Sequence, residues 1–239
     1  MEPVANSEGG DQFRKSVARE YLESIVVAVI LALFIRTFVV QAFKIPTGSM
    51  ETNLLIGDHL LVNKQVYAPS LGGLEDAIVA RKPVERGHVV VFKFPEEPSR
   101  DFIKRVIGLP GETVEIRDKV VHIDGEPLRE DYARFKYPTR SRDDPEYGLR
   151  GEAIRDNWGP RVVPEGQLLV LGDNRDNSRD SRFWGFLPVD QLKGRALMVY
   201  WSYEASREEY QRTGVVAWVR DTASAFGRTR WSRFFHMID

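Results

Sequence analysis

Residues 102–112 read FIKRVIGLPGE, a run rich in β-branched and aromatic residues that closes on a proline–glycine turn. Strand alternation places Phe102, Lys104 and Val106 on one face. Lysine is seldom buried, and burial between apolar side chains would lower its pKa from about 10.4. A lysine that is partly neutral at pH 7 can act as a general base. The alternative is an edge strand with Lys104 facing water, and the sequence leaves both open.

Short β-rich runs recur through the chain, bounded by Gly, Pro and Asp clusters. Besides Phe102–Leu109 they are Leu60–Tyr67, His88–Phe94, Thr113–Ile116, Val120–Ile123, Gln167–Leu171 and Arg195–Tyr203. No long amphipathic helix alternates with them, which disfavours a parallel βαβ arrangement and predicts a mostly β protein. Residues 124–164 are polar and dense in turn residues, and form either a surface excursion or a small inserted lobe.

The composition limits the chemistry that the chain can perform. Its 239 residues are 42% hydrophobic and 29% charged, as is usual for a globular protein. Lys and Arg (34) nearly balance Asp and Glu (35), so no bulk charge indicates a nucleic-acid partner. Cysteine is absent, which excludes disulfides, thiol nucleophiles and thiolate metal sites. The four histidines lack the spacing of a zinc site, so we expect no metal.

An apolar segment near the N-terminus, residues 24–42, reads SIVVAVILALFIRTFVVQA. It has about the length of a bilayer-spanning helix. Its single charge, Arg36, lies toward one end, where a long side chain can reach the membrane interface. We therefore predict a transmembrane helix. The alternatives are a buried core helix and a signal peptide that is cleaved after Ala42.

Charges that flank this segment predict its orientation. Arg14, Lys15 and Arg19 precede it, whereas Lys44 is the only charge among the eight residues that follow. An excess of positive charge favours the cytoplasmic side. The predicted organisation is a cytoplasmic N-terminal tail (1–23), a transmembrane anchor (24–43) and an extracytoplasmic domain (44–239).

A serine follows the apolar segment in the sequence IPTGSM, residues 45–50. A serine after glycine, with a proline just upstream, suits an exposed hydroxyl on a constrained turn. Thr47 could supply a second hydroxyl to the same site. The motif is not the GxSxG elbow of α/β-hydrolases, because position 51 is Glu. Taken alone, Ser49 could equally belong to an ordinary turn.

Residues 172–182 read GDNRDNSRDSR, a dense polar motif. Asp176, Ser178 and Asp180 have the first spacings of a calcium loop, but its sixth position is Ser181 and its twelfth is Leu187. A calcium loop needs glycine and glutamate at those positions, so the motif does not fit one. What remains is an Asp, Arg, Asn and Ser network that can pair internally and hold side chains in register.

These three motifs, in this order after an apolar segment, resemble the bacterial type I signal peptidases (leader peptidases). PTGSM resembles the nucleophile box of that family, KRVIGLPG its lysine box and GDNRDNSRDSR its third box, with Gly57-Asp58 in the short box between them. The resemblance extends to about Pro188. The chain departs from the family at Thr52-Asn53, where Pro-Thr is common, and at Glu112, where Asp is common, so the departures bear on the substrate groove.

The resemblance implies an antiparallel β catalytic domain with a Ser–Lys dyad and no cofactor. Ser49 would be the nucleophile and Lys104 the general base, and the Ser49 N–H and the Thr47 hydroxyl would form the oxyanion hole. Ser178 would orient Lys104. The residues with an expected structural role are Arg105, Asp180 and Arg182, and those expected to line substrate pockets are Ile45, Met50, Phe102 and Ile103.

The resemblance also implies partners and a location. The substrates would be signal peptides of exported preproteins, bound as an added β-strand and cleaved after Ala-x-Ala sites. The protein would sit in the bacterial plasma membrane, in contact with the lipid bilayer and near the secretion translocon, as a single-pass protein. The tail of residues 226–235 mixes arginine with aromatic residues, and is either a solvated turn or a contact with lipid headgroups.

Three other functions remain to be compared with this one. A Ser-His-Asp hydrolase could pair Ser49 with His59, His88 or His122, although each histidine lies in or beside a β-rich run. A repressor-type autoprotease would share the dyad, but the sequence has no Ala-Gly target upstream of Ser49. A membrane-tethered binding module without activity would have no need of a nucleophile beside an apolar lysine.

Overall fold

The computed structural model describes residues 17–51, 53–67, 83–137, 152–204 and 227–238. The chain divides into two compact units, one that ends at Phe38 and one that spans Val39–Asp239. The second unit begins at Val39, five residues before the predicted start of the extracytoplasmic domain at residue 44. The reason is that its first strand starts at Val40, inside the apolar segment.

The N-terminal unit contains helix α1 (Val17–Phe34), which continues as a π-helical turn (Ile35–Val39). The apolar side chains of α1 are exposed on every side of the helix, among them Ile25, Val27 and Leu31. None of the helices in the described residues is both long and apolar enough to cross a membrane. Residues 40–43, which the prediction placed in the anchor, lie instead in a β-strand.

The second unit is built on two antiparallel sheets. The larger follows the order β1-β2-β11-β3-β4-β9-β10, with β12 also paired to β11. Its strands are β1 (Val40–Lys44), β2 (Asp58–Asn63), β3 (Val89–Phe94), β4 (Glu97–Gly108), β9 (Gln167–Leu171), β10 (Leu187–Pro188), β11 (Leu192–Ser202) and β12 (His236–Met237). The predicted mostly β fold is confirmed.

The smaller sheet has the order β7-β6-β5-β8. Its strands are β5 (Thr113–Arg117), β6 (Val120–Ile123), β7 (Glu126–Pro127) and β8 (Trp158–Val162). Two short helices, α2 (Glu152–Asp156) and α3 (Ser181–Trp184), complete the described elements. This sheet begins before the predicted insert of 124–164, of which residues 138–151 lie outside the described part of the chain.

Most predicted strands match within a few residues, and one is too long. The run Leu60–Tyr67 stops being a strand at Asn63, and a 3-10 turn (Gln65–Tyr67) follows. The Asn63 side chain accepts a hydrogen bond from the Gln65 N–H (2.9 Å), which turns the backbone away from the sheet.

Apolar packing places β4 at the centre of the unit. The buried side chains of β4 belong to different apolar clusters. Ile103 packs with Val89 and Val91 of β3 in one cluster, and Val106 packs with Phe92 in another. A third cluster joins the two sheets through side chains such as Ile107, Ile116 and Leu171. Neighbours β3 and β9 cover both edges of β4, so Lys104 is not on an edge strand.

The C-terminal residues of the described chain pack against the loop that follows Ser49. Arg233 donates to both carboxylate oxygens of Asp58 (3.1 and 2.7 Å) and to the Asn53 carbonyl (2.7 Å). Arg230 donates to the Ile56 carbonyl (2.9 Å). Asp58 is fully buried and also accepts from the Leu55 N–H (2.8 Å), so these arginines fix the loop.

We predict that Arg233→Met destabilises the protein by about 3–5 kcal/mol, because it leaves the buried carboxylate of Asp58 without its counter-ion. Arg129→Met is the matched control, since the Arg129–Asp131 pair is exposed and should change stability by less than about 0.5 kcal/mol. Urea unfolding followed by tryptophan fluorescence measures both. Equal effects of the two substitutions would contradict a fixing role for Arg233.

Candidate active site

Ser49 lies in a 3-10 turn (Gly48–Met50) that follows the extended residue Thr47, and its side chain is largely buried. Asn174 holds this turn in place. Its backbone N–H donates to the Ser49 carbonyl (3.1 Å), and its side-chain Nδ2 donates to the Gly48 carbonyl (3.0 Å). Sequence reasoning gave Asn174 no role, although it lies within the polar motif of residues 172–182.

Lys104 projects from β4 to the same place and is 3% exposed. Its Nζ lies 2.8 Å from Ser49 Oγ, and it donates to the Ile103 carbonyl at the same distance. Burial lowers the pKa of Lys104 from 10.5 to about 8; the nearby charge of Arg182 also lowers it, while those of Asp180 and Asp173 raise it. The structure therefore brings the two predicted catalytic side chains into direct contact.

Ser178 is buried at the same site but is not bonded to Lys104. Its hydroxyl makes no hydrogen bond of normal geometry to the lysine, and lies near Asp180, whose pKa it helps to lower. The expected lysine-orienting bond is thus not formed in this structure. Packing here is close: a Cβ on Gly172 would lie 2.3 Å from Ser178 Oγ and 2.6 Å from the Ser49 carbonyl oxygen, so only glycine fits.

Two buried ion pairs support this region. Arg182 contacts both oxygens of Asp180 (2.8 Å each), and Asp180 also accepts from the Gly172 N–H (3.1 Å). Arg105 donates to both oxygens of Asp173 (2.9 and 2.8 Å). Arg105, Asp180 and Arg182 were expected to have structural roles, and all three lie in these pairs.

Further contacts join the third motif to the smaller sheet. Arg175 forms an ion pair with Glu130, and Lys119 lies 3.0 Å from Asp176 and 3.3 Å from Asp156. Sequence reasoning did not identify these partners. Arg175 and Glu130 are 45 residues apart in the sequence, and Lys119 and Asp176 are 57 apart. A local sequence pattern does not indicate pairs at such separations.

The three histidines considered as bases lie in other surroundings. His59 stacks on Trp201 with 5.4 Å between ring centroids, and burial, with a smaller effect of Lys44, lowers its pKa to about 4. His88 Nδ1 is 2.8 Å from the Tyr67 hydroxyl, and His122 Nδ1 is 3.0 Å from the Val120 carbonyl. Within the described residues, the hydrogen bond of the Ser49 hydroxyl is to Lys104.

A cleft of about 660 Å³ opens beside Ser49 and Lys104. Phe102 and Ile103 line it, together with Thr47 and Ser178. Ile45 and Met50, which the sequence analysis placed in substrate pockets, do not line it. They are 2% and 0% exposed and pack in the core, because the residues that flank Ser49 turn inward against β2 and β11.

Comparison with known proteins identifies the family. The sequence profile described as "Signal peptidase, peptidase S26" matches residues 18–201. The chain is 39% identical over 207 residues to the signal peptidase I of Leptolyngbya laminosa, covering 84% of this chain and 86% of that one. It is 33% identical over 223 residues to the signal peptidase I of Pseudomonas aeruginosa, covering 82% and 78%.

A solved structure, the signal peptidase I of Enterococcus faecalis, is 32% identical, with 48% of this chain and 97% of that chain covered and a TM-score of 0.36. The assignment rests on the sequence matches, which span most of both chains. The chain therefore belongs to the S26 signal peptidase family and is a serine peptidase.

Proposed function

We propose that this chain removes signal peptides from exported preproteins, hydrolysing the bond after an Ala-x-Ala site with Ser49 as nucleophile and Lys104 as general base. The observation that carries this proposal is the 2.8 Å contact between Ser49 Oγ and a buried Lys104 Nζ. A nucleophile and a base within hydrogen-bond reach are what acyl transfer requires. The relatives named signal peptidase I support the choice of substrate.

The lowered pKa gives Lys104 its proposed role. A lysine with a pKa of about 8 is neutral in roughly a tenth of molecules at pH 7 and in half at pH 8. An ordinary lysine would be neutral in fewer than about one molecule in a thousand at pH 7. Neutral Lys104 has a lone pair that can accept the proton of the Ser49 hydroxyl, and burial keeps bulk water from competing for it.

The reaction would proceed through an acyl-enzyme. Ser49 Oγ attacks the carbonyl carbon of the scissile bond while its proton passes to Lys104 Nζ. When the tetrahedral intermediate collapses, the carbon–nitrogen bond breaks and Lys104 returns the proton to the leaving amine. A water molecule, deprotonated by Lys104, then attacks the ester and regenerates Ser49.

The oxyanion would be stabilised by groups of the Ser49 turn. N–H groups in the first turn of a helix have no intrahelical acceptor, which leaves the Ser49 N–H available to substrate. The Thr47 hydroxyl, two residues earlier, lines the same cleft. The two bonds from Asn174 fix the carbonyl groups of this turn, so that its donors hold their direction as charge develops.

We further infer that α1 tethers the chain to the bacterial plasma membrane, with the N-terminus in the cytoplasm, the catalytic unit outside and the translocon nearby. The exposed apolar side chains of α1 would be covered by lipid. Arg14, Lys15 and Arg19 favour the cytoplasmic side for the N-terminus.

Cleavage of an Ala-x-Ala precursor should rise with pH to a plateau, with a midpoint near 8 in kcat/KM, because the rate follows the fraction of neutral Lys104. Lys104→Met should lower kcat by at least about a hundredfold, and Ser49→Ala should abolish acyl-enzyme formation. Lys136→Met, at an exposed lysine, is the matched control and should leave the profile unchanged. Substantial activity in a folded Lys104→Met protein would reopen the histidine mechanism.

Thr47→Val should lower kcat by about a hundredfold or more with little change in KM, because the hydroxyl would act only on the oxyanion. Thr47→Ser keeps the hydroxyl and should retain most of the activity. Steady-state kinetics on the same precursor measure both variants. Equal rates for the valine variant and the parent would remove Thr47 from the oxyanion hole.

Alkaline carbonate washing of bacterial membranes should leave the parent protein in the pellet. Replacing Ile30 and Leu31 of α1 by aspartate should release it, because each acidic side chain costs about 2.5–3.5 kcal/mol within the bilayer. Ile154→Asp, at an exposed apolar residue of α2, is the control and should not alter the distribution. Release of the parent itself by carbonate would refute the tether.

A further inference from the structure

We propose that the arginines at the rim of the cleft, Arg100, Arg155 and Arg179, form a subsite for a carboxylate side chain of the substrate peptide. The inference rests on the proposed function, since it assigns to an acidic substrate residue a place beside Ser49 and Lys104. Arg100 and Arg155 lie outside the three sequence motifs that resemble the family.

The three arginines come from separate segments of the chain. Arg100 belongs to β4, whereas Arg155 belongs to α2 and Arg179 precedes α3, and all three line the cleft that contains Ser49. The lining includes one carboxylate, that of Asp101. Both of its oxygens already contact Lys193 Nζ (2.6 and 2.7 Å). The lining therefore has three arginines and a single carboxylate, which is already paired.

Each guanidinium is positioned by an aromatic ring. Arg100 lies over Phe102 at 5.6 Å, and Arg179 lies over Phe94 at 5.7 Å. These two rings stack on each other, with centroids 4.2 Å apart. Arg155 lies over Phe183 at 5.6 Å. A guanidinium that packs its flat face on a ring can still present the N–H groups of its edge to a planar carboxylate.

The present partners of two of these arginines are easily replaced. Arg100 pairs with Glu97 at 3.1 Å and Arg179 with Glu96 at 2.6 Å, and in both pairs each side chain is about half exposed or more. Exposed ion pairs contribute little to stability. A substrate carboxylate that enters the cleft can therefore exchange with Glu96 or Glu97 and accept paired hydrogen bonds from a guanidinium.

The substrate chemistry that fits is an aspartate or glutamate near the scissile bond. A peptide bound in the cleft passes both Ser49 and the arginine rim, whereas a lipid phosphate would not need the nucleophile nearby. Planar bidentate recognition by arginine also suits a carboxylate. The subsite would favour, among precursors with the same Ala-x-Ala site, those with an acidic residue within reach.

The test is a set of paired precursor peptides with one Ala-x-Ala site, in which Asp or Asn occupies in turn the middle position of that site and each of the three positions after the scissile bond. We expect one position at which the Asp peptide has a kcat/KM about tenfold above its Asn partner, with the ratio falling as salt is raised from 50 to 500 mM. The ratio should approach one in the variant Arg100→Gln/Arg155→Gln/Arg179→Gln.

The matched control is Arg117→Gln/Arg129→Gln/Arg161→Gln, which removes the same charge from exposed residues in or near the smaller sheet. This control should have the Asp/Asn ratio of the parent. An Asp/Asn ratio near one at every position in the parent would overturn the subsite, as would a ratio that survives in the rim variant. Loss of binding to anionic vesicles by the rim variant, with the ratio intact, would assign the arginines to lipid instead.

The design separates failure of the subsite from failure of the proposed function. Ser49-dependent cleavage of the Asn peptides alone tests the function, whatever the ratio. If the parent cleaves none of the peptides, the function fails. If it cleaves the Asn and Asp peptides equally, only the subsite fails.

Discussion

The amine of Lys104 is buried at the centre of the larger sheet, on a strand that lies between β3 and β9. The surrounding groups offset that burial only in part. Asp180 and Asp173 favour the charged amine, but each is already engaged by an arginine, Arg182 and Arg105 respectively. The carboxylates therefore do not neutralise the lysine. The low pKa therefore follows from burial, which the two carboxylates offset only in part. A lysine with such a pKa has the property that the proposed general base needs.

The third motif links the turn of Ser49 to the surroundings of Lys104. Its Asn174 holds the turn of Ser49, and its Asp173 and Asp180 hold charges near Lys104. The close approach at Gly172 leaves no room for adjustment between them. Because one short segment bonds the turn of Ser49 and places charged groups near Lys104, the separation of these two side chains is set by a rigid part of the fold rather than by two independent loops.

Local pattern predicted the strands and the face of β4 that carries Lys104, because alternation is a property of neighbouring residues. It could not settle whether β4 is an edge strand, since strand order depends on partners such as β9 that lie about 60 residues away. The burial of Ile45 and Met50 could not be predicted for the same reason: proximity to Ser49 along the chain says nothing about the direction of a side chain. Residues 40–42 read as helical because their apolar character suits a helix or a buried strand equally.

The packing of Arg233 on Asp58 has a consequence for the synthesis of the protein. The two residues are 175 positions apart, and strand β2, which begins at Asp58, has β11 as its second neighbour in the sheet. At a translation rate of about 5–20 residues per second, the loop that follows Ser49 waits roughly 10–35 s for its arginine. During that interval the loop lacks the hydrogen bonds that Arg233 donates to Asp58 and Asn53. The loop that follows Ser49 is therefore fixed only after nearly all of the sheet has been synthesised.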